Sequence, residues 1–583
     1  LKILLIQPPI QDFYETQLRL QPIGLAYLKA ALQKHHPEVE VVIRDYHTGY
    51  GRQTLRWPKE LKYLREYYSI LDRSPFSTFY NYYHFGASFE LIADDIARLQ
   101  PDLIGVSCLF TPYFREALEI SKRLKKFRNI PVLMGGSHVS AVPESVLQQE
   151  SVDFVICGEG EKSIVDLVSF LQGKLAITEV GGLGYKINGE LQFNPIKENF
   201  DIGDIPYPDL GSFPLETYKY GHDPLAFMIT SRSCPHKCSF CSVHLTFGHR
   251  YRRRSPEDVL REIELRYEQG YRVIDFEDDN LTFYKVEMKR LCGALIERFP
   301  NREMQFVAMN GISYLSLDDE LLELMWKAGF THLNLALVSS DKVVRETTKR
   351  PHTLEAYTRV VHRAHSLGFQ IVSYQILGLP NEDLDSMMQT LAFNIRLPVL
   401  LGASIFYLTP QSPMALKLGN SLSEVDHFKA RTTAIAHETQ SFSRQDIYTL
   451  FIVNRIFNHL KGLKLERDQP LSDILFERQD DCGLALLSDC LKSGVLYFIN
   501  RQGQFPNLKF KTELLIETMG QAQFVTTQDG HKIELDELGR LQESLGSIVM
   551  NRSHDASAHK GIAPKCCPID RSGHEMSLAC RLL

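Results

Sequence analysis

Tryptophan is nearly absent from this chain, with two residues in 583, and cysteine is sparse, with eleven. So few cysteines over such a length exclude a disulfide-built extracellular scaffold and point to a reducing, cytoplasmic setting. No run of about eighteen uninterrupted apolar residues occurs, so no membrane-spanning helix is expected. Acidic residues slightly outnumber basic ones, and a net charge of −6 provides no basic field for a nucleic-acid partner. The opening Leu1-Lys2-Ile3-Leu4-Leu5-Ile6 is too short for a secretion signal and lacks a small-residue cleavage site; it reads as a buried first strand. What is present is an ordinary globular composition, 44% apolar and 23% charged, long enough for roughly two to four domains.

Residues 1–175 alternate short apolar runs with helical periodicity. Strands are expected at Lys2–Ile6, Val39–Arg44, Leu103–Ser107, Val132–Met134 and Phe154–Cys157, with helices at Ile23–Gln33, Tyr113–Lys126 and Pro143–Gln149. This alternation predicts an α/β fold with a doubly wound, Rossmann-like sheet of flavodoxin type. Ligands of such sheets bind beyond the carboxyl ends of the strands, here Gln7-Pro8-Pro9, Ser107-Cys108-Leu109, Gly135-Gly136-Ser137 and Gly158-Glu159-Gly160. An insertion at 50–89 is dense in aromatics, among them Tyr63, Tyr67, Tyr68, Phe76, Phe79, Tyr82, Tyr83 and Phe85; it reads as a satellite core or as a lid.

Residues 176–224 form a linker with a hairpin turn at Asn188-Gly189 and prolines at 206, 208 and 214. Residues 225–430 return to strand–helix units. Strands are expected at Ala226–Thr230, Val273–Glu277, Gln305–Ala308, His332–Leu337, Gln370–Gln375 and Ser404–Leu408, which predicts a partial (β/α)6 TIM-type barrel. Directly after the first of these strands come Cys234, Cys238 and Cys241, spaced Cys-x3-Cys-x2-Cys. Thiolates suit zinc or iron–sulfur clusters, and three of them leave one coordination position open. A zinc site would need a fourth ligand such as His236 or His244. Arg250, Arg252, Arg253 and Arg254 form a basic run that reads as a solvated or salt-bridging face, or as a hold for an anionic substrate group.

Residues 431–583 read as a mixed, mainly helical region that covers the barrel. Helical periodicity runs over Arg444–Leu463 and Asp473–Phe498, with a break near Gly483, and short strands flank an Asp529-Gly530 turn. The polar tail, with Cys566, Cys567, Cys580, His559 and His574, matches no zinc or cluster spacing and reads as disordered.

Two resemblances give these patterns a chemical reading. Ser107, Leu109, Gly135 and Gly136 match, in type, order and spacing, the cobalamin-binding domain of methionine synthase and its relatives. The resemblance implies that the glycines admit the corrin and Ser107 bonds it, with Gly158 and Glu159 at the neighbouring strand end. That family carries Asp-x-His-x-x-Gly after its first strand, where this chain has Gln7–Gln21 without histidine. Asp45-Tyr46-His47-Thr48-Gly49 follows the second strand and lacks glycine at the required offset, so a corrin without histidine beneath cobalt is implied.

The cysteine triad, with Phe240 before the third cysteine, resembles the radical S-adenosylmethionine superfamily. There the three thiolates hold a [4Fe–4S] cluster whose fourth iron chelates S-adenosylmethionine. The resemblance also places Glu277, Asp278, Asp279 and Asn280 at the amino end of S-adenosylmethionine and Gly378, Leu379 and Pro380 near adenine. It matches Thr409-Pro410 and Pro413 to a turn after the last strand. Many relatives have a ribose-contacting glutamate where this chain has Val338, which leaves Ser339 to share that role.

Together these features resemble class B radical methylases and the anaerobic cyclase of bacteriochlorophyll synthesis. The implied activity is reductive cleavage of S-adenosylmethionine and methyl transfer by way of cobalamin to an unactivated carbon of a small-molecule, lipid or peptide substrate. A flavodoxin or ferredoxin would supply electrons under anaerobic conditions. The alternatives are non-methylating radical chemistry, such as cyclisation or ring rearrangement, and a corrinoid-binding sensor or carrier.

Overall fold

A computed structural model of the protein describes residues 1–127, 130–197, 201–350, 353–419 and 422–535. Cys566, Cys567, Cys580, His559, His574 and the tail expected to be disordered lie outside the described residues. The chain forms two compact units, one of Leu1–Trp57, Asn81–Thr331 and Leu408–Ala430, the other of Pro58–Tyr80, His332–Tyr407 and the chain from Arg431 onward.

The first unit contains a seven-stranded sheet. Its strands are β1 (Lys2–Gln7), β2 (Glu40–Asp45), β3 (Leu103–Ser107), β4 (Val132–Gly135), β5 (Phe154–Ile156), β6 (Leu183–Ile187) and β7 (Glu190–Phe193), in the order β2-β1-β3-β4-β5-β6-β7. The five leading strands are parallel, with the chain reversal between β1 and β3 that marks a flavodoxin-type switch point. Ile3, Leu4, Leu5 and Ile6 are all buried, which is why β1 is an unbroken apolar run rather than an alternating one. The hairpin expected in the linker instead extends this sheet, because β6 pairs antiparallel with β5. Its turn takes left-handed backbone at Asn188 (φ 51°) and Gly189 (φ 87°), the geometry that matches strand twist.

The same unit holds the first three strands of the second α/β region, β8 (Asp223–Met228), β9 (Val273–Phe276) and β10 (Gln305–Val307), all parallel. In the second unit, β11 (His332–Val338), β12 (Gln370–Leu377) and β13 (Leu400–Ile405) form a parallel sheet. The six expected strands all exist, but β13 starts four residues earlier than the expected Ser404. Pro398 ends the preceding turn, and buried Val399, Leu400 and Leu401 then carry the chain into the sheet.

The aromatic insertion is divided between the units. Tyr82–Phe85 pairs with Ile10–Asp12 and Arg52–Leu55 in a small antiparallel sheet of the first unit. In the second, Tyr63 and Tyr68 donate to the carbonyls of Ala434 (2.6 Å) and Thr433 (2.8 Å), and Phe79 stacks on Phe451. Both portions are packed core, which favours the satellite-core reading over a lid.

The helix α1 (Arg444–Lys461) is buried on nearly every side, not on one stripe, with Tyr448, Leu450, Phe451, Ile452, Val453, Ile456 and Phe457 all inside. Its Asn458 acts as an extra strand residue at the sheet edge, accepting from Leu401 N–H and donating to Leu401 C=O, both at 2.8 Å. The expected helix over Asp473–Phe498 is two helices, Leu471–Glu477 and Cys482–Ser493, followed by a strand at Tyr497–Asn500. Asp481, not Gly483, makes the break: its carboxylate caps the second helix at Leu484 N–H.

Lys461 is wholly buried and donates to the carbonyls of Ile395 (2.8 Å), Leu397 (2.6 Å) and Thr526 (2.9 Å). Lys461→Met would leave these acceptors without a donor and is expected to cost about 3 kcal/mol, read as a lowered urea midpoint for unfolding.

Candidate cluster and corrin sites

The cysteine loop leaves the carboxyl end of β8 and returns through Tyr251–Arg254. Ser231-Arg232 pairs antiparallel with Arg252-Arg253, which pinches the loop at its root. Asp278, just past β9, then ties that root down. Its buried carboxylate accepts from Thr230 N–H (3.1 Å), Thr230 Oγ1 (2.7 Å) and Ser231 Oγ. Grouped by sequence with the cofactor contacts, Asp278 is instead a loop anchor, turned inward with its acceptors engaged. The main chain turns through left-handed Ser233 (φ 73°), and Cys241 N–H closes on Cys238 C=O at 3.2 Å. From the expected proline-rich turn after β13, Met414 N–H reaches Ser239 C=O at 2.7 Å, holding the loop between its second and third cysteines.

Cys238 is buried and Cys234 and Cys241 are half-buried. Burial pushes the Cys241 thiol up to about 11 and raises Cys234 as well, with the neighbouring thiols adding to both. Such thiols ionise on meeting a cation. Among the described residues no three His, Cys, Asp or Glu side chains converge closely enough to hold a single metal ion. This disfavours the zinc alternative, and His244 stacks on His249 at 4.9 Å. A four-iron cluster takes each thiolate on a different iron and does not need them to meet at a point, so the donor set fits it.

Beside the thiols, Asn280 donates to Cys234 Sγ at 3.5 Å while its buried Oδ1 meets no partner among the described residues, an acceptor suited to an incoming ammonium. Glu277 accepts from Asn310 Nδ2 at 2.7 Å; burial, and then Asp275, push it up to about 8. Asp279 reaches solvent yet is crowded by protein, which together with Asp278 raises it to about 7. Phe240 is half-buried within the loop.

At the switch point of the first sheet, Ser107 is half-buried and Leu109 and Phe110 are exposed. The two glycines after β4 differ in role. Gly136 (φ 120°) is required by packing, since a Cβ there would lie 2.6 Å from Cys108 C=O. At Gly135 a Cβ would meet nothing nearer than 3.9 Å. An open backbone beside exposed apolar side chains fits a flat macrocycle. Gly158 (φ 80°) donates to Ser140 Oγ at 2.9 Å. Glu159, expected at the corrin, is turned away from that role: it is buried against Arg232 (2.6 Å) and Arg252 (2.9 Å). His47 is fully buried with its ring nitrogens 2.9 Å from Leu18 C=O and 3.4 Å from Phe85 C=O, which removes it as a cobalt ligand. The basic run takes the salt-bridging reading: Arg253 pairs with Glu287, and Arg254 with Asp258 and Glu262.

In the second unit, Val338 has φ 73°, a rare conformation for a β-branched residue, at a break in the β11–β12 register. Ser339 is buried, its Oγ near Thr390 (3.2 Å) and Glu382 (3.4 Å), so its expected ribose contact is replaced by an internal one. Gly378 (φ 87°), buried Leu379 and half-buried Pro380 form the expected turn. The residue missed by sequence reasoning is Glu382, which accepts from Leu379 N–H at 3.3 Å behind that turn; its signal was an acid two residues after the proline. Burial raises Glu382 to about 8. The folded state therefore keeps its proton where the unfolded chain has lost it, and this contribution is full below about pH 4.5 and lost as pH rises through 8. Wild-type melting temperature is expected to fall more between pH 6 and pH 8 than that of Glu382→Gln, by thermal denaturation of both.

Two family models match in tandem, a B12 binding domain at residues 80–168 and the radical SAM superfamily at 228–393. An uncharacterized methyltransferase of Pyrococcus horikoshii is 26% identical over 405 residues, 68% of this chain and 79% of that protein. The anaerobic magnesium-protoporphyrin IX monomethyl ester cyclase of Rubrivivax gelatinosus is 25% identical, over 64% of this chain and 69% of the cyclase. The radical S-adenosylmethionine methyltransferase TsrM from Kitasatospora setae, solved with cobalamin and a [4Fe–4S] cluster bound, shares the fold. Its TM-score is 0.54 at 17% identity, covering 71% of this chain and 77% of TsrM. With a three-thiolate loop on one α/β region and a glycine cradle at the switch point of another, the chain is a cobalamin-binding radical S-adenosylmethionine enzyme of the kind that includes methyltransferases and the anaerobic cyclase.

Proposed function

We propose that this enzyme transfers a methyl group from S-adenosylmethionine, by way of cobalamin, to an unactivated carbon of a small-molecule, lipid or peptide substrate. The observation that carries this reading is that the thiolate loop and the glycine cradle belong to one compact unit. When bound, the cluster supplies the electron that splits S-adenosylmethionine and the corrin supplies a transferable methyl group. The chain's own residues hold and orient. Cys234, Cys238 and Cys241 would take three irons and leave the fourth open for S-adenosylmethionine. Asn280 Oδ1 and Glu277 would face its ammonium group, and the proton held by Glu277 near neutral pH would leave as that cation arrives. Ser107, Leu109 and Gly135 would line the corrin. A low-potential electron donor of flavodoxin or ferredoxin type and an anaerobic cytoplasm complete the reading. Radical chemistry without methyl transfer is the second reading, favoured by the 25% identity to the Rubrivivax cyclase.

Reconstituted, reduced enzyme given methyl-labelled S-adenosylmethionine is expected to pass label to product. Deoxyadenosine formed without label transfer would establish the cyclase-type reading, and no cleavage at all would revive a corrinoid sensor or carrier. Cys238→Ala is expected to lower bound iron and abolish deoxyadenosine formation, by iron assay and chromatography. Gly136→Ala is expected to leave iron content intact but weaken cobalamin retention, read from corrin absorbance across gel filtration.

A further inference from the structure

Arg232 stands two residues before the first cysteine of the loop, yet its side chain points into the corrin-binding domain. It is enclosed there, with its side chain 4% exposed and its guanidinium 5.6 Å from the rings of both Tyr27 and Phe247. It donates to Glu159 Oε1 at 2.6 Å and, through both terminal nitrogens, to Glu161, one of these bonds measuring 3.2 Å. Arg252, its partner across the two-residue ladder at the loop root, pairs with the other oxygen of Glu159 at 2.9 Å. Glu159 stands in the turn that follows β5, beside Gly158, and Glu161 lies in the first turn of the helix Gly160–Leu171 that comes next. A second strap runs next to this one, where Thr246 Oγ1 meets Ser137 Oγ at 3.2 Å, immediately after the paired glycines.

Two carboxylates and two guanidiniums are thus taken out of water at one place, with charges that cancel. Burial alone would lower Arg232, but Glu161 and Glu159 outweigh it and hold the cation charged. Burying such a set is a poor way to gain stability, since apolar residues of similar volume commonly do as well. What it does supply is a fixed register, because an arginine fork meets carboxylates in few geometries. The chain places that register between the root of the thiolate loop and the turn beside the glycine cradle.

We propose that Glu159, Glu161, Arg232 and Arg252 are positioning residues that set the separation between the iron–sulfur cluster and the corrin. They touch neither group and act through the backbone on either side. The proposal rests on the reading that both cofactors load, but not on methyl transfer. Radical chemistry between two cofactors is sensitive to their spacing, and a displacement of about 1 Å can cost on the order of 100-fold in rate.

The test is a pulsed electron-paramagnetic-resonance distance measurement between cob(II)alamin and the reduced cluster in full-length, doubly loaded protein, for wild type, Glu159→Gln and Arg252→Lys. Wild type is expected to give a narrow distribution. Glu159→Gln should keep its iron and corrin and give a distribution roughly doubled in width, and Arg252→Lys, which retains the charge without the fork, an intermediate one. In parallel, the ratio of methylated product to deoxyadenosine should fall on the order of 100-fold in Glu159→Gln. Equal widths in all three proteins would overturn the proposal, as would loss of iron from Glu159→Gln, which would make the quartet a requirement for loop folding. Should Glu159→Gln not fold, Arg252→Lys against wild type decides by the same criterion. If wild type itself transfers no methyl group, the distance still reports on the quartet, so failure of the proposed function and failure of the positioning role are read separately.

Discussion

The parallel register between β8 and β9 is the constraint from which the cluster site follows. Met228 lies opposite Phe276, so Glu277 N–H closes on Met228 C=O at 2.8 Å and the next residue, Asp278, arrives beside Thr230 and Ser231. From there its carboxylate can take a main-chain N–H and two hydroxyls of the loop root at once. A slip of one residue would turn Asp278 away and bring Glu277 or Asp279 inward, each without those donors. The same register sets Asn280 next to Cys234. Three thiols that would repel one another once ionised thus need no mutual attraction to stay together; the scaffold behind them holds the loop before any metal arrives.

That scaffold explains which parts of the site were legible in the sequence. The strands were readable because buried parallel strands are continuous apolar runs, and Leu103–Ser107 and Val132–Gly135 fall within a residue of expectation. The thiolate spacing was readable because its chemistry is local. Direction was not. Glu277, Asp278 and Asp279 look alike in sequence, and only the pairing of β9 with β8 decides that the middle one points into the protein. Glu159 was misread for a different reason: its partners lie 73 and 93 positions away, at Arg232 and Arg252, and no periodicity reports such a pairing.

The helix Arg444–Lys461 shows a third limit. Its periodicity was readable, yet Asn458 and Lys461 are occupied by backbone carbonyls of the second unit, work that a sequence displays only as ordinary polarity. Tyr63 and Tyr68 hide their partners in the same way, since their hydroxyls end on the main chain of Ala434 and Thr433. Side chains that satisfy main-chain acceptors over hundreds of residues leave no pattern of their own.

Backbone conformation offers a signal that cuts across both units. Left-handed residues follow or end several strands: Gly136 after β4, Gly158 after β5, Ser233 beyond β8, Val338 at the end of β11 and Gly378 after β12. Three of the five are glycine, where the conformation costs little. Ser233 and Val338 carry side chains, and each holds its conformation against a cost of order 1–3 kcal/mol. Ser233 has a local compensation, since its hydroxyl donates to Gly248 C=O at 2.8 Å across the mouth of the cysteine loop. Val338 has a β-branch and no polar group to offer, and only its pairing with Gln375 and burial of its side chain oppose the strain.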